Sequence, residues 1–275
     1  MNPVILTFDL EYWFESLSLQ RYLKGNEREN LESFTEKILP LLKNNKATAT
    51  FFVTGKVIEN EPNLIKKIND AGQEIGLHSL DHRPLWQKNS DNFKKEIEIL
   101  VDKITALTSK RPVSHRAVNF SLDSSTFWAL PVLASKGIKF DSSLFPFSLP
   151  NFIFKFFKSR NYGHKKGEIN PYQINGIKEM PLAVFDGKLI RIPIAGGVYL
   201  RIIPWFVFRK LLRLKLKNNP ACLYFHPFDF LGEPPDFKMP KIRKIIKYGQ
   251  AQKTWKKLNY VLKNFDCLSI ENYNL

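Results

Sequence analysis

The opening stretch constrains the fold more than any other, because an apolar segment of strand length runs directly into acidic residues. Residues 4–8 read Val-Ile-Leu-Thr-Phe, and Asp9 and Glu11 follow two positions apart. Carboxylates next to a buried strand are costly unless a partner compensates for their charge. Strand ends are also where α/β proteins usually carry their functional residues. The stretch therefore predicts a buried strand that delivers two acids to a site.

Strand-like and helix-like patterns alternate along most of the chain. The predicted strands are 3–8, 47–53, 74–77, 113–118, 138–140 and 221–225, and the predicted helices are 31–44, 61–71, 90–109, 124–136 and 204–217. Alternation at such short intervals favours a mostly parallel sheet or barrel. We expect one domain, residues 1–275, because the chain shows no internal repeat and no clean linker.

Two local signals refine this pattern. Asp186-Gly187 lies between the apolar segments 177–184 and 188–193, which predicts a β-hairpin. Pro40 falls inside the first helical pattern, where it lacks a backbone N–H and clashes with the preceding turn. We therefore expect that helix to kink or to end early.

Residues able to bind a metal or transfer a proton recur at the predicted strand ends. His78 and His82 are four residues apart, a spacing that allows two imidazoles to meet at one ion, although such a pair alone is weak evidence. If the strands are parallel, these residues share one rim, as a catalytic site requires. The set comprises Asp9, Glu11, His78, His82, Arg116, Asp141 and His226.

The chain is strongly basic, with 42 Lys and Arg against 26 Asp and Glu and a formal net charge of +16. Such a balance indicates an anionic partner or, equally well, lysines scattered over a solvated surface. The basic segments 204–217 and 152–166 suggest, as one interpretation, a peripheral contact with an anionic membrane. We favour an outer barrel helix that buries Trp205 and Phe208. Nucleic acid is not expected, because no recognisable reading element accompanies the charge.

No secretory signal and no apolar run of spanning length are visible. The two cysteines, Cys222 and Cys267, form neither a metal-binding spacing nor a disulfide framework. We expect a cytoplasmic protein, with the inner membrane face as the alternative location. The oligomeric state is not predicted.

Six motifs in order resemble the polysaccharide deacetylase family, whose homology domain is also that of chitooligosaccharide deacetylases. The motifs are Thr7-Phe8-Asp9-Leu10-Glu11, Ala49 to Val53, His78 to His82, Arg116 to Ser121, Phe140-Asp141-Ser142-Ser143 and Leu223 to Pro227. The resemblance covers about residues 3–230 and is closest to the subgroup associated with exopolysaccharide synthesis, which the run Gly196 to Arg201 also resembles. Tyr12 replaces an expected acid, and Val118 replaces an expected proline.

With the alternating pattern, the resemblance implies a distorted (β/α) barrel of about seven parallel strands plus a small β-hairpin insertion. It implies a metal-dependent hydrolase that removes N-acetyl groups from a glycan or a glycan precursor, which could be lipid-linked. The metal is one divalent ion, zinc first, although these ligands also accept cobalt, nickel or iron.

The resemblance and the side-chain chemistry together assign the roles. Glu11, His78 and His82 would hold the metal and leave positions open for water and the acetyl oxygen. Asp9 would act as general base and His226 as general acid. Arg116 would hold Asp9 ionised, and Asp141 would orient His226 or keep it cationic. Asp9 and Glu11 could exchange roles.

Aromatic side chains near these motifs are the candidates for stacking on the sugar, namely Tyr12, Trp13, Phe120 and Trp86. Two other functions stay open at this point. One is an amidohydrolase that acts on a small non-sugar amide. The other is a catalytically silent glycan-binding module, against which the intact acids and histidines argue.

Overall fold

A computed structural model gives the structure of the protein for residues 1–16, 19–25, 27–146, 167–187, 191–230 and 251–273. Eleven strands lie in these ranges. They are β1 (Val4–Leu10), β2 (Thr50–Thr54), β3 (Glu74–Ser79), β4 (Ser114–His115), β5 (Phe140–Asp141), β6 (Tyr172–Ile174), β7 (Ile177–Glu179), β8 (Val184–Asp186), β9 (Arg191–Pro193), β10 (Ala221–Phe225) and β11 (Cys267–Leu268).

Nine of the described strands form one sheet, in the order β10-β1-β2-β3-β4-β5-β7-β6, with β11 also paired to β1. The seven strands from β10 to β7 are parallel neighbours, and β6 alone runs antiparallel to its neighbour β7. Two isolated bridges, Leu182 to Cys222 and Gly196 to Tyr224, bring the chain after β7 beside β10. The predicted (β/α) barrel with about seven parallel strands is confirmed.

The strand β1 lies at the centre of this arrangement and is buried along its whole length. It pairs with β10 through residues 4–8 and with β2 through residues 7–10. Both of its edges are therefore covered, which explains its almost continuous run of apolar residues. The strand continues two residues beyond the predicted end, so Asp9 lies within it and Glu11 directly follows it.

Eight helices lie in the described ranges and surround the sheet. They are α1 (Leu31–Asn44), α2 (Gly55–Asn60), α3 (Pro62–Asp70), α4 (Ser90–Thr108), α5 (Ala129–Ser135), α6 (Gly197–Ile202), α7 (Trp205–Asn218) and α8 (Ala251–Asn264). The helix α1 begins where predicted, because the side chain of Asn30 accepts a hydrogen bond from the Ser33 N–H at 2.9 Å. The apolar face of α4, from Phe93 to Ile104, is buried as its spacing predicts.

The expectation of an early end at Pro40 is wrong, because α1 continues to Asn44. Pro40 lies on the exposed side of the helix, while Ile38 and Leu42 are fully buried against the core. Tertiary packing of that apolar face therefore outweighs the loss of one backbone hydrogen bond.

The strands β8 and β9 form a separate antiparallel pair with Asp186 opposite Arg191, which confirms the hairpin. The helix α7 buries Phe208 fully and keeps Trp205 half-buried, as expected for an outer barrel helix.

The basic segment 152–166 lies outside the described residues. Within the part of the chain that is described, no helix combines the length and the apolar character needed to cross a membrane.

Candidate functional site

The site contains a buried ion pair that joins β1 to the loop after β4. Arg116 is fully buried, and its Nη1 donates to Asp9 Oδ1 and to Thr7 Oγ1, both at 2.7 Å. Its Nε and Nη2 donate to the backbone oxygen and the hydroxyl of Ser142 at 2.8 and 2.7 Å. The guanidinium also lies over the Phe52 ring, 4.5 Å from the centroid. Asp9 is thus buried beside a cation whose position is fixed on all sides.

Three further groups meet beside this ion pair. Glu11 Oε2 lies 2.5 Å from His82 Nε2 and 3.3 Å from His78 Nε2. The strand β3 carries His78, and His82 follows it with a left-handed backbone (φ 52°), which is uncommon for a residue other than glycine. One ligand atom from each of the three residues lies within 4.8 Å of the others. All three side chains are buried.

The second nitrogen of each imidazole faces a backbone carbonyl. His78 Nδ1 lies 2.8 Å from the oxygen of Arg116, and His82 Nδ1 lies 2.9 Å from the oxygen of Glu15. A carbonyl oxygen only accepts, so each Nδ1 carries a proton, and Nε2 is the ring nitrogen that faces Glu11. Metal-binding histidines are usually oriented by such a hydrogen bond from the ring nitrogen that does not bind the metal.

The charges in this group stabilise one another. Burial alone would raise the pKa of Glu11, but the nearby imidazoles of His82, His78 and His226 hold it well below its usual value. Burial alone would lower the pKa of His82, but the negative charge of Glu11 raises it. The carboxylate is therefore ionised at neutral pH, as a metal ligand must be.

His226 follows β10 and completes the site. Its Nε2 lies 3.8 Å from Asp9 Oδ2 and 3.8 Å from Glu11 Oε1. The ring stacks on Phe228 with 4.4 Å between centroids, and its Nδ1 lies 3.4 Å from Asp229 Oδ2. The backbone N–H of His226 also donates to Asp229 Oδ2 at 2.9 Å.

The expected contact between Asp141 and His226 is wrong. Asp141 Oδ1 instead lies 2.6 Å from His115 Nδ1 and accepts from the Ser143 hydroxyl at 2.9 Å. The cause is the strand register, because His115 and Asp141 are direct partners across β4 and β5 and their side chains point to the same face. The sequence analysis missed Asp229, although an acid three residues after His226 was a visible signal.

Three of the four predicted sugar-contacting aromatics pack against other aromatic rings. Tyr12 stacks on Phe14, Trp13 packs against Phe228, and Phe120 contacts Tyr224 edge to face. These three predicted residues are buried, whereas Trp86 is half-buried. Their role in substrate binding stays a prediction.

The arrangement combines a candidate metal site, a carboxylate held by arginine and an imidazole 3.8 Å from both acids. Such a set can bind a divalent cation and move protons to and from a group bound beside it.

Comparisons with known proteins agree with this chemistry. A peptidoglycan-N-acetylmuramic acid deacetylase of Bacillus subtilis is 34% identical over 112 residues, 40% of this chain and 42% of that protein. A peptidoglycan-N-acetylglucosamine deacetylase of Bacillus cereus is 41% identical over 64 residues, 23% of each chain. The matched segments thus span less than half of these relatives.

Solved structures show the same fold. A structure from Mycobacterium smegmatis, provisionally named a polysaccharide deacetylase, matches 98% of this chain and 90% of its own, with a TM-score of 0.60 and 17% identity. A mutant of a CE4 family pseudoenzyme from Bacillus anthracis matches 98% of this chain and 66% of its own, with a TM-score of 0.52 and 12% identity. At such identities these likenesses concern the fold alone.

Two family models divide the chain between them. Residues 142–274 match a domain of unknown function (DUF3473). Residues 2–139, half of the chain, match the polysaccharide deacetylase model and contain every residue of the candidate metal site. The chain belongs to the polysaccharide deacetylase family.

Proposed function

We propose that the protein is a metal-dependent hydrolase that removes N-acetyl groups from an N-acetylated glycan or glycan precursor. The observation that carries the proposal is the convergence of Glu11, His78 and His82, with Asp9 and His226 on its flanks. The names of the two Bacillus relatives, both deacetylases of N-acetylated sugars in peptidoglycan, support the substrate class.

The residues present fit a divalent cation. Two imidazole nitrogens and one carboxylate oxygen suit zinc, and cobalt, nickel or iron would also be accepted. When bound, the ion would lower the pKa of a water molecule and polarise the acetyl carbonyl. Because Glu11 and not Asp9 contacts both imidazoles, we assign Glu11 as the ligand and Asp9 as the base.

The two proton transfers use the carboxylate and the imidazole that lie beside the candidate metal site. Asp9, held by Arg116, takes a proton from the attacking water as the new C–O bond forms at the acetyl carbon. His226 gives a proton to the amide nitrogen as the C–N bond breaks. The products are acetate and a free amino sugar. Arg116 fixes Asp9 and compensates its buried charge.

The test of this proposal is acetate release by the purified, zinc-loaded protein. We expect release from N-acetylglucosamine oligomers or from peptidoglycan and exopolysaccharide fragments, and none from simple acetamides. The variant Asp9→Asn should lose at least 100-fold in kcat while still binding zinc, because general base catalysis contributes about 10²–10⁴-fold. Release from simple amides alone would favour the amidohydrolase, and no release at all would leave a silent glycan-binding module.

We further propose a lipid-linked substrate reached by peripheral contact with an anionic membrane. Ile202 and Phe206 are 62% and 74% exposed at the junction of α6 and α7, and Lys210 and Arg213 follow on the basic helix α7. Apolar side chains beside basic ones suit an anionic lipid surface. Co-sedimentation with phosphatidylglycerol vesicles should fade with salt and with Phe206→Ser. The absence of binding at low salt would contradict this proposal.

A further inference from the structure

A buried ion pair lies directly behind the imidazole of His226. Asp229 Oδ2 faces His226 Nδ1 at 3.4 Å and accepts its backbone N–H at 2.9 Å. The other oxygen, Asp229 Oδ1, accepts from Arg201 Nη1 at 2.6 Å. The side chains of Asp229 and Arg201 are 1% and 3% exposed. Removing one partner of such a buried pair would leave the other as an uncompensated buried charge.

The position of Arg201 is fixed by the C-terminal part of the chain. Arg201 belongs to the short helix α6, and the carbonyl oxygens of Leu200 in this helix and of Ile203 just after it face Lys257. Lys257 comes from α8 and is buried, and its Nζ donates to both oxygens. The C-terminal helix is thereby connected to His226 through Arg201 and Asp229.

The start of α6 is held just as closely. Gly196 forms a bridge to Tyr224, and a Cβ at this position would overlap the Tyr224 ring. The backbone N–H of Tyr224 donates to the Ala195 oxygen at 2.7 Å. Because Tyr224 lies in β10, two residues before His226, the run that contains Arg201 and the strand that leads to the imidazole form one packed unit.

Asp141, the acid that the sequence paired with His226, does not contact that imidazole. It faces His115 and Ser143, and no ion pair within 4.0 Å joins it to His226 among the described residues. The described carboxylate that contacts Nδ1 of His226 is Asp229. The two ring nitrogens of His226 therefore have different partners, since Nδ1 contacts Asp229 and Nε2 faces Asp9 and Glu11.

We propose that Asp229 and Arg201 are positioning residues for catalysis by His226. Asp229 accepts a hydrogen bond from the Nδ1–H of His226 and fixes the ring so that Nε2 faces the substrate, and Arg201 holds the Asp229 carboxylate in that geometry. Neither residue touches the substrate. This role rests on the proposed function, because it serves the imidazole that protonates the leaving amine. It also gives the region matched to the domain of unknown function a defined part in the reaction.

The kinetic test compares Asp229→Asn and Arg201→Met with the wild-type, zinc-loaded enzyme in acetate release from N-acetylglucosamine oligomers. We expect kcat to fall about 10- to 100-fold, as for other residues that orient a functional histidine, with KM and zinc content nearly unchanged. Asp229→Glu, which keeps the carboxylate, should recover part of the loss. Unchanged kcat in Asp229→Asn would overturn the proposal.

The matched control is Glu74→Gln. Glu74 is a buried carboxylate at the other end of β3 from His78, and it accepts hydrogen bonds from Thr50 and Ser114. This variant should lower the melting temperature but leave kcat unchanged. An equal loss of kcat in Glu74→Gln would assign the effect of Asp229→Asn to general destabilisation.

A second readout does not depend on activity. In ¹⁵N NMR spectra of the zinc-loaded protein, His226 should show a protonated, hydrogen-bonded Nδ1 that shifts in Asp229→Ala, whereas the signals of His78 and His82 stay in place. If the signal shifts but the wild-type protein releases no acetate, the positioning role stands and the proposed function fails. If acetate is released but the signal and kcat are unaffected, the positioning role fails alone. Asp229→Asn, which keeps the side-chain volume, replaces Asp229→Ala if that variant does not fold.

Discussion

Arg116 contacts both Asp9 and His78 of the histidine pair, the first with its side chain and the second with its backbone. Its three nitrogens donate to Thr7, Asp9 and both oxygen atoms of Ser142, while its backbone oxygen faces the imidazole of His78. The residue therefore fixes Asp9, the proposed base, with its guanidinium and a candidate metal ligand with its carbonyl. The position requires a planar group with several donors, which lysine does not supply.

We predict that Arg116→Met lowers the free energy of unfolding by about 3–5 kcal/mol, because it leaves the Asp9 carboxylate buried without a cation. Arg116→Lys should be intermediate in stability, since it keeps the charge but loses most of the hydrogen bonds, and should lose most of the activity. Urea denaturation with parallel acetate assays checks both variants. A lysine variant equal to wild type in both measurements would contradict this account.

At the same scale, the sequence predicts which residues meet but not every pairing. The residues that converge each lie at or just after the carboxyl end of a parallel strand, which the alternation of strand and helix patterns in the sequence already indicates. They are Asp9, Glu11, His78, His82, Arg116 and His226. The partner of His226 was mispredicted because it depends on strand register. Register places Asp141 opposite His115, and one tight turn returns Asp229 to the imidazole.

At the scale of elements, packing decides where local propensity is ambiguous. The helix α1 passes through Pro40 because its apolar face is buried, and the strand β4 is only two residues long where six were predicted. The predicted helix 124–136 is regular only from Ala129 to Ser135. The sequence pattern predicted the positions of the longer strands and helices but not those of α2, β6 and α6. The ends of the elements depend on neighbours that the sequence does not reveal.

At the scale of the molecule, the site draws on both matched regions. The deacetylase model covers Asp9, Glu11 and the histidine pair, whereas His226 lies in the region of unknown function. The pairing of β1 with β10 joins the two, because Phe8 is opposite Phe225 and Asp9 and His226 are the next residues. We therefore propose that the two regions act as one domain, as the absence of a linker predicts.

The most direct test of the central claim, that residues distant in sequence form one cation site, is a titration of the metal-free protein with Co²⁺, followed by visible absorption and calorimetry. The wild-type protein should bind one ion per chain. Glu11→Gln and His78→Ala should lose that binding, and Glu74→Gln should retain it. A wild-type protein that binds no ion, or a His78→Ala variant that binds cobalt as tightly as wild type, would contradict the account.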